Sequence, residues 1–187
     1  PQVNLKSRDS HFIFGDVATA VVMELEDTCT ADYAFRVLDT KQMTTFSDNI
    51  RCDGNYTDHS FSDDQLPEDR PYFRQNGRKV FKELLPLVTG FITEQLGENH
   101  LEASDLKRMW LHQANVNMNM FAVKKLLGRL PAPEEAPVVL DEFANTASSG
   151  SVIAFHRYNA DFESGDRGLI CSFGAGYSIG SLLVEKI

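Results

Sequence analysis

At 187 residues, 42% of them hydrophobic, the chain is long enough for one substantial core, and no apolar run approaches the ~20 residues needed to cross a bilayer. A formal charge of -9, from 27 acidic and 18 basic side chains, argues against nonspecific nucleic-acid binding, which needs clustered Lys and Arg. Cys29, Cys52 and Cys171 are scattered without CxxC spacing, which argues against zinc or disulfide frameworks and suits a reducing cytoplasm.

The opening Pro1-Gln2-Val3-Asn4-Leu5-Lys6 has neither an initiator Met nor signal-peptide character, so a piece of a longer protein is expected. Residues 11–25 are dense in β-formers, interrupted by Gly15-Asp16, and predict a strand pair or a bent strand. Residues 33–38 predict a further strand. Residues 44–76 are polar, with Pro67 and Pro71, and read as a long loop, either functional or a surface excursion. Over residues 79–96 the apolar positions Val80, Leu84, Leu87, Val88, Phe91 and Ile92 form a helical stripe, with Gly97 as its stop and Pro86 expected to kink it or break its ladder. Residues 108–111 are a short strand. Val116, Met120, Val123 and Leu127 mark a second helix, ended by Gly128. A strand at 137–140, a helix at 148–159 and a strand at 168–173 follow, and a Gly174-Ala175-Gly176 turn leads into a last strand at 177–185. The order βαβαβαββ predicts an α/β fold with a mixed sheet flanked by helices, its last two strands an antiparallel hairpin.

Three stretches fall at strand ends, where α/β sheets place their sites. They are Leu111-His112-Gln113-Ala114-Asn115, residues 143–151 around Asn145, and Phe173-Gly174-Ala175-Gly176-Tyr177. Each has an ordinary structural reading: a satisfied histidine, a helix N-cap, a tight turn. Together they offer two neutral donors, an imidazole and a carboxamide, able to hydrogen-bond one carbonyl oxygen as charge develops on it, and a backbone N–H in a small-residue turn for a second oxyanion. The small residues 147–151 would let the following helix pack close to the sheet. No cysteine sits at a strand-to-helix turn, and Cys171, inside an apolar strand, reads as a small buried hydrophobe.

His-Gln-Ala-Asn at 112–115, Ala-Asn-Thr-Ala-Ser-Ser-Gly-Ser from 144 and Phe-Gly-Ala-Gly-Tyr-Ser-Ile-Gly-Ser from 173 resemble the β-ketoacyl-acyl-carrier-protein synthase III family. Phe14-Gly15-Asp16 with Ala18 is similar to its Phe-Gly-Asp-Gly-Ala segment, and Gly77-Arg78-Lys79-Val80-Phe81-Lys82 to its Gly-x-x-Val-Phe-Lys helix start. The resemblance runs from about Ser10 to Ile187, with the family's order and spacing. Residues 10–14 and 46–51 look closest to a branch that handles longer acyl primers.

The resemblance implies the C-terminal half of a thiolase-like αβαβα fold, with residues 1–30 ending the N-terminal half and 31–187 forming the second. The nucleophilic Cys would lie in the other half, leaving this chain inactive alone. The family's catalytic His and Asn fall on His112 and Asn145, and its oxyanion-hole glycine on Ala175, a backbone donor if φ stays negative. Asn115, Gly77 and Phe81 would line the pantetheine tunnel. Arg78, Lys82, Lys124 and Lys125, near two helix starts, would dock an acidic carrier protein, though Asn117 stands where an Arg serves docking in the family, and Val17 replaces a glycine. The implied reaction is a decarboxylative Claisen condensation in fatty acid synthesis, joining an acyl-CoA-derived acyl-Cys to malonyl-acyl-carrier-protein. It needs no cofactor or metal, and the full-length enzyme would be a cytoplasmic homodimer with acyl-CoA and acyl carrier protein as partners. The alternatives are another thiolase-fold acyltransferase, a non-decarboxylative condensing enzyme, or a non-catalytic partner subunit.

Overall fold

The structure, a computed structural model, describes Val3, residues 10–52 and residues 73–187. Most of the expected long loop at 44–76 therefore lies outside the described residues, and its described ends are strand, not loop: residues 44–47 finish one strand and residues 50–52 pair with 73–75. The elements are β1 (Phe35–Ser47), β2 (Ile50–Cys52), β3 (Phe73–Gln75), α1 (Gly77–Glu98), β4 (Arg108–Leu111), α2 (Val116–Leu127), α3 (Leu140–Phe143), α4 (Ser149–Arg157), β5 (Arg167–Gly174) and β6 (Gly176–Lys186).

Four strands form one sheet in the order β1-β6-β5-β4, and β2 and β3 form a separate ribbon. β4 and β5 run parallel, while β5–β6 and β1–β6 are antiparallel, so the sheet is mixed and closes on the expected hairpin. Alternation along the strands creates two apolar faces. Leu169, Cys171 and Phe173 of β5, with Tyr177, Ile179 and Leu183 of β6, pack with Val80, Leu84 and Val88 of α1 and Met118, Ala122 and Val123 of α2. On the opposite face Trp110 and Val184 meet Ile153 and Ala154 of α4 and Phe162. Each Val, Leu, Ile, Phe or Met among them, fully buried, contributes about 1.5–3 kcal/mol of transfer free energy. Gly168 makes room for the indole, because a Cβ there would stand 2.3 Å from Trp110 Cζ3. Arg108, 5% exposed, ties β4 to the segment after α4 through both carboxylate oxygens of Asp161, at 2.6 and 3.0 Å, and the Tyr158 carbonyl at 2.8 Å.

Four further expectations need correction. Residues 11–25 form no strand pair: Phe14 alone makes a bridge, to Asn145, and Val22 is 90% exposed. The β-formers there have no neighbouring strand within the described residues to complete a ladder. Residues 137–140 are not a strand either. The Gln113 side chain meets their backbone, Nε2 donating to the Pro137 carbonyl at 3.3 Å and Oε1 accepting from Val139 N at 3.0 Å, and α3 begins at Leu140. α1 runs through Pro86 unbroken, since the carbonyl that the missing N–H would have engaged belongs to exposed Lys82 and can bond water. It also passes Gly97 and stops at Asn99, whose N–H and Nδ2 both bond the Gln95 carbonyl. The end of α2 at Gly128, φ 69°, is as predicted.

Candidate active site

Parallel pairing of β4 and β5, with Leu111 opposite Cys171, brings the C-terminal ends of both strands to one edge of the sheet. His112 follows β4 there and is 8% exposed. Its Nδ1 lies 3.4 Å from Ser172 Oγ, its ring centroid is 5.1 Å from that of Phe173, and its carbonyl accepts from Asn119 Nδ2 at 2.9 Å. Burial pushes the imidazole pKa down to about 4; a hydrogen bond to the main chain at Ala147 opposes that shift without cancelling it. Near neutral pH the ring is uncharged, with one N–H to donate.

That Ala147 contact links His112 to the loop carrying Asn145. Asn145 is held through its backbone: its N–H donates to the Ile13 carbonyl at 2.9 Å, and its carbonyl accepts from Gly15 N at 3.1 Å. Glycine is required at 15, because a Cβ would come within 2.1 Å of the Phe143 carbonyl oxygen. On either side of Asn145, Ala144 and Ala147 have φ of 56° and 54°. Left-handed backbone at a non-glycine residue costs of order 1–3 kcal/mol, and such strain gathers at functional sites. Asn145 Oδ1 accepts from Ala147 N at 3.0 Å, which fixes the carboxamide so that its NH₂ is the end left to donate outward. Behind the loop, α4 packs close as expected, since a Cβ on Gly150 would meet Gln113 Cβ at 2.8 Å.

Ala175 is exposed at the apex between β5 and β6, with its carbonyl accepting from Ser178 N at 3.1 Å. Among the described residues only His100, Ala144 and Ala147 are non-glycines with positive φ, so Ala175 meets the stated condition for a backbone donor. Cys171 is fully buried and its thiol is pushed up to about 12 by desolvation, which leaves it inert as a nucleophile.

Gly77 opens α1 after Asn76, whose side chain accepts from Lys79 N. Asn115 caps α2 through its Oδ1, which accepts from Met118 N at 3.2 Å. Phe81 and Phe121 meet edge to face at 5.9 Å where the two helices pack. Arg78 and Lys82 sit exposed at the start of α1. Lys124 and Lys125 lie exposed in the last turn of α2, not near a helix start, and α2 packs against α1. Eight other basic residues among those described, from Arg36 to Arg167, are ion-paired; Arg78, Lys82, Lys124 and Lys125 have no carboxylate within pairing distance among the described residues.

Sequence reasoning missed Asn119, which is 3% exposed and holds the His112 carbonyl. Counting the α2 stripe through Val116 and Met120 set the wrong phase: the buried face is Met118, Asn119, Ala122 and Val123, with Val116 42% exposed. Ser172, beside His112, also borders an open cleft of about 520 Å³ on the α4 side of the sheet, shared with Ser148, Ser151, Ile170 and Leu182. Among the described residues, no cluster of His, Cys, Asp and Glu could hold a metal ion, and no helix is long and apolar enough to cross a membrane.

Residues 96–186 match the family model described as 3-oxoacyl-[acyl-carrier-protein (ACP)] synthase III C terminal. A β-ketodecanoyl-[acyl-carrier-protein] synthase from Pseudomonas aeruginosa is 46% identical over 184 residues, 98% of this chain and 52% of that protein. The chain belongs to the synthase III family, as its C-terminal half. A β-ketoacyl-[acyl-carrier-protein] synthase III of Acidiphilium cryptum is 31% identical over 98% of this chain and 54% of its own length. The crystal structure of 3-oxoacyl-[acyl-carrier-protein] synthase III from Aquifex aeolicus superposes with a TM-score of 0.72 at 20% identity, covering 98% of this chain and 54% of that one. The thiolase-like fold expected of a synthase III half is therefore the fold found. The chain spans about half the length of the curated relatives it matches.

Proposed function

We propose that this chain supplies the His and Asn of a β-ketoacyl-acyl-carrier-protein synthase III whose nucleophilic Cys lies in the other half. In the full-length enzyme the Cys thiolate attacks an acyl-CoA thioester and the CoA thiolate leaves. Malonyl-acyl-carrier-protein then loses CO₂, the electron pair of the broken C–C bond moving into the thioester enolate. That enolate attacks the acyl-Cys carbonyl, a C–C bond forms, and the Cys thiolate is released. His112 and Asn145 donate to the malonyl thioester oxygen as the enolate develops, and the Ala175 N–H donates to the oxyanion on the acyl-Cys.

One observation supports this reading: His112, uncharged near neutral pH, and Asn145 both bond the main chain of Ala147, the ring as donor and the carboxamide oxygen as acceptor, so the two side chains meet at one loop and the malonyl oxygen would take over the His112 N–H from Ala147. The cleft reaching Ser172 is the face against which the Cys-bearing half, ending within residues 1–30, would close. Arg78, Lys82, Lys124 and Lys125 form the carrier-docking surface, and Gly77, Phe81 and Asn115 lie toward the pantetheine path. The name of the Pseudomonas relative extends the reading to a medium-chain primer and a β-ketodecanoyl-type product. The full-length protein would be a cytoplasmic homodimer; sedimentation as a monomer would remove that part.

The test uses the full-length enzyme. His112→Ala and Asn145→Ala should each lower malonyl decarboxylation and condensation by about 100-fold, the cost of one such donor, while acylation of the Cys, followed by intact mass, falls far less. Equal losses in both steps would sink the assignment.

A further inference from the structure

Tyr177 is the residue after the Gly174-Ala175-Gly176 turn and is 2% exposed. A buried phenol needs a partner, and its hydroxyl donates to Glu83 Oε2 at 2.9 Å. The same oxygen accepts from Asn49 Nδ2 at 2.7 Å, while the Asn49 carbonyl accepts from the N–H of Asn76, the cap of α1, at 2.8 Å. One carboxylate oxygen thus joins the second turn of α1, the corner between β1 and β2, and the first residues of β6. Both bonds are charge-assisted, the stronger class of hydrogen bond. Glu83 has Lys79 and Lys82 on its own helix and pairs with neither; among the described residues its carboxylate is committed to Tyr177 and Asn49.

The ladder alone leaves this corner weakly held. Between Thr44 and Ser47 the β1–β6 register is interrupted, just where Ser47 reaches Gly176. Past that break the backbone support of the turn is the single Ser47–Gly176 pair, the β5–β6 pairing that ends at Gly174 opposite Ser178, and the Ser178 N–H bonded to the Ala175 carbonyl. A donor that stabilises an oxyanion must be held to within about 0.5 Å of its productive place.

We infer that Glu83 is a positioning residue for the Gly174–Gly176 turn, fixing the Ala175 N–H through the Tyr177 hydroxyl. The inference rests on the reading of Ala175 as an oxyanion donor, but the tether can be measured without it. In the full-length enzyme, Tyr177→Phe removes the hydroxyl and keeps the ring, and Glu83→Gln keeps an acceptor without its charge. Hydrogen exchange in the peptide covering 173–178 should speed up about tenfold in Tyr177→Phe and Glu83→Ala, and less in Glu83→Gln. Single-turnover acylation of the Cys should slow about tenfold in the same two variants, with the KM for acyl-CoA unchanged and partial rescue in Glu83→Gln. The double variant Glu83→Ala/Tyr177→Phe should be no slower than either single one, because one link is broken twice.

Wild-type exchange in both single variants would overturn the tether. Faster exchange with undiminished acylation would overturn the positioning role, as would losses that multiply in the double variant. An enzyme that never acylates, yet shows the loosened turn in both variants, would sink the synthase reading and leave the tether standing.

Discussion

At the residue scale, His112 is held as a neutral donor by its surroundings, not by a charged partner. An unfolded histidine takes up a proton near pH 6.5, whereas His112 in the fold does so near 4. Between those values the unfolded chain binds more protons, so stability falls as pH drops through that window, by on the order of 3 kcal/mol in total. The NMR titration of its ring should accordingly show no protonation from pH 8 to 5 and a midpoint near 4; a midpoint near 6.5 would mean the ring is hydrated in solution. The residues that hold His112 were not legible beforehand. Ser172 reaches it from β5 across the sheet and Asn119 from the helix just after it, and neither belongs to a pattern that a single sequence displays. His112 and Asn145 were legible because strand-end position and residue chemistry coincide there. Their convergence on Ala147 was not, since it depends on two left-handed alanines that no propensity favours.

At the level of elements, α1 and α2 pack together and carry Arg78, Lys82, Lys124 and Lys125 exposed, on a chain whose formal charge is -9. An acidic carrier protein should be repelled by such a molecule except where the field reverses locally, and in the proposed docking Arg78, Lys82, Lys124 and Lys125, which have no ion pair among the described residues, would supply that reversal. In the full-length enzyme, Lys82→Glu with Lys125→Glu should raise the KM for malonyl-carrier-protein about fivefold or more and flatten its salt dependence. Turnover with malonyl-CoA, which needs no protein–protein contact, should change much less. Equal losses with both donors would point to a fold defect or a damaged tunnel instead. Both helices were readable from their apolar period, and β4, β5 and β6 from short apolar runs between turn residues. Residues 11–25 and 137–140 misled for one shared reason. β-forming composition states a preference, but a strand also needs a neighbour, and among the described residues the first stretch meets only the Asn145 backbone, at Ile13 to Gly15, and the second the Gln113 side chain.

For the molecule as a whole, the nucleophile is the decisive question. Cys171 is sealed in the sheet with its thiol raised to about 12, whereas Cys29 and Cys52 are only half-buried. The 187-residue chain by itself should therefore yield no β-ketoacyl product, and brief native alkylation should mark Cys29 and Cys52 while sparing Cys171. Product formation by the pure chain would show that the nucleophile has been misassigned. The sheet carries one further consequence, for how the protein is made. β1 finds its partner in β6, Phe35 opposite Lys186, about 150 residues later in the chain. While the nascent chain leaves the ribosome at roughly 5–20 residues per second, β1 is exposed for many seconds with both edges open. Its charged residues Arg36, Asp39 and Lys41 discourage association with a stranger's strand during that wait. In the finished sheet β1 pairs along one edge only among the described residues, and the same three charges are taken up within the fold, Arg36 by Glu26, Lys41 by Glu98 and Asp39 by Gln95.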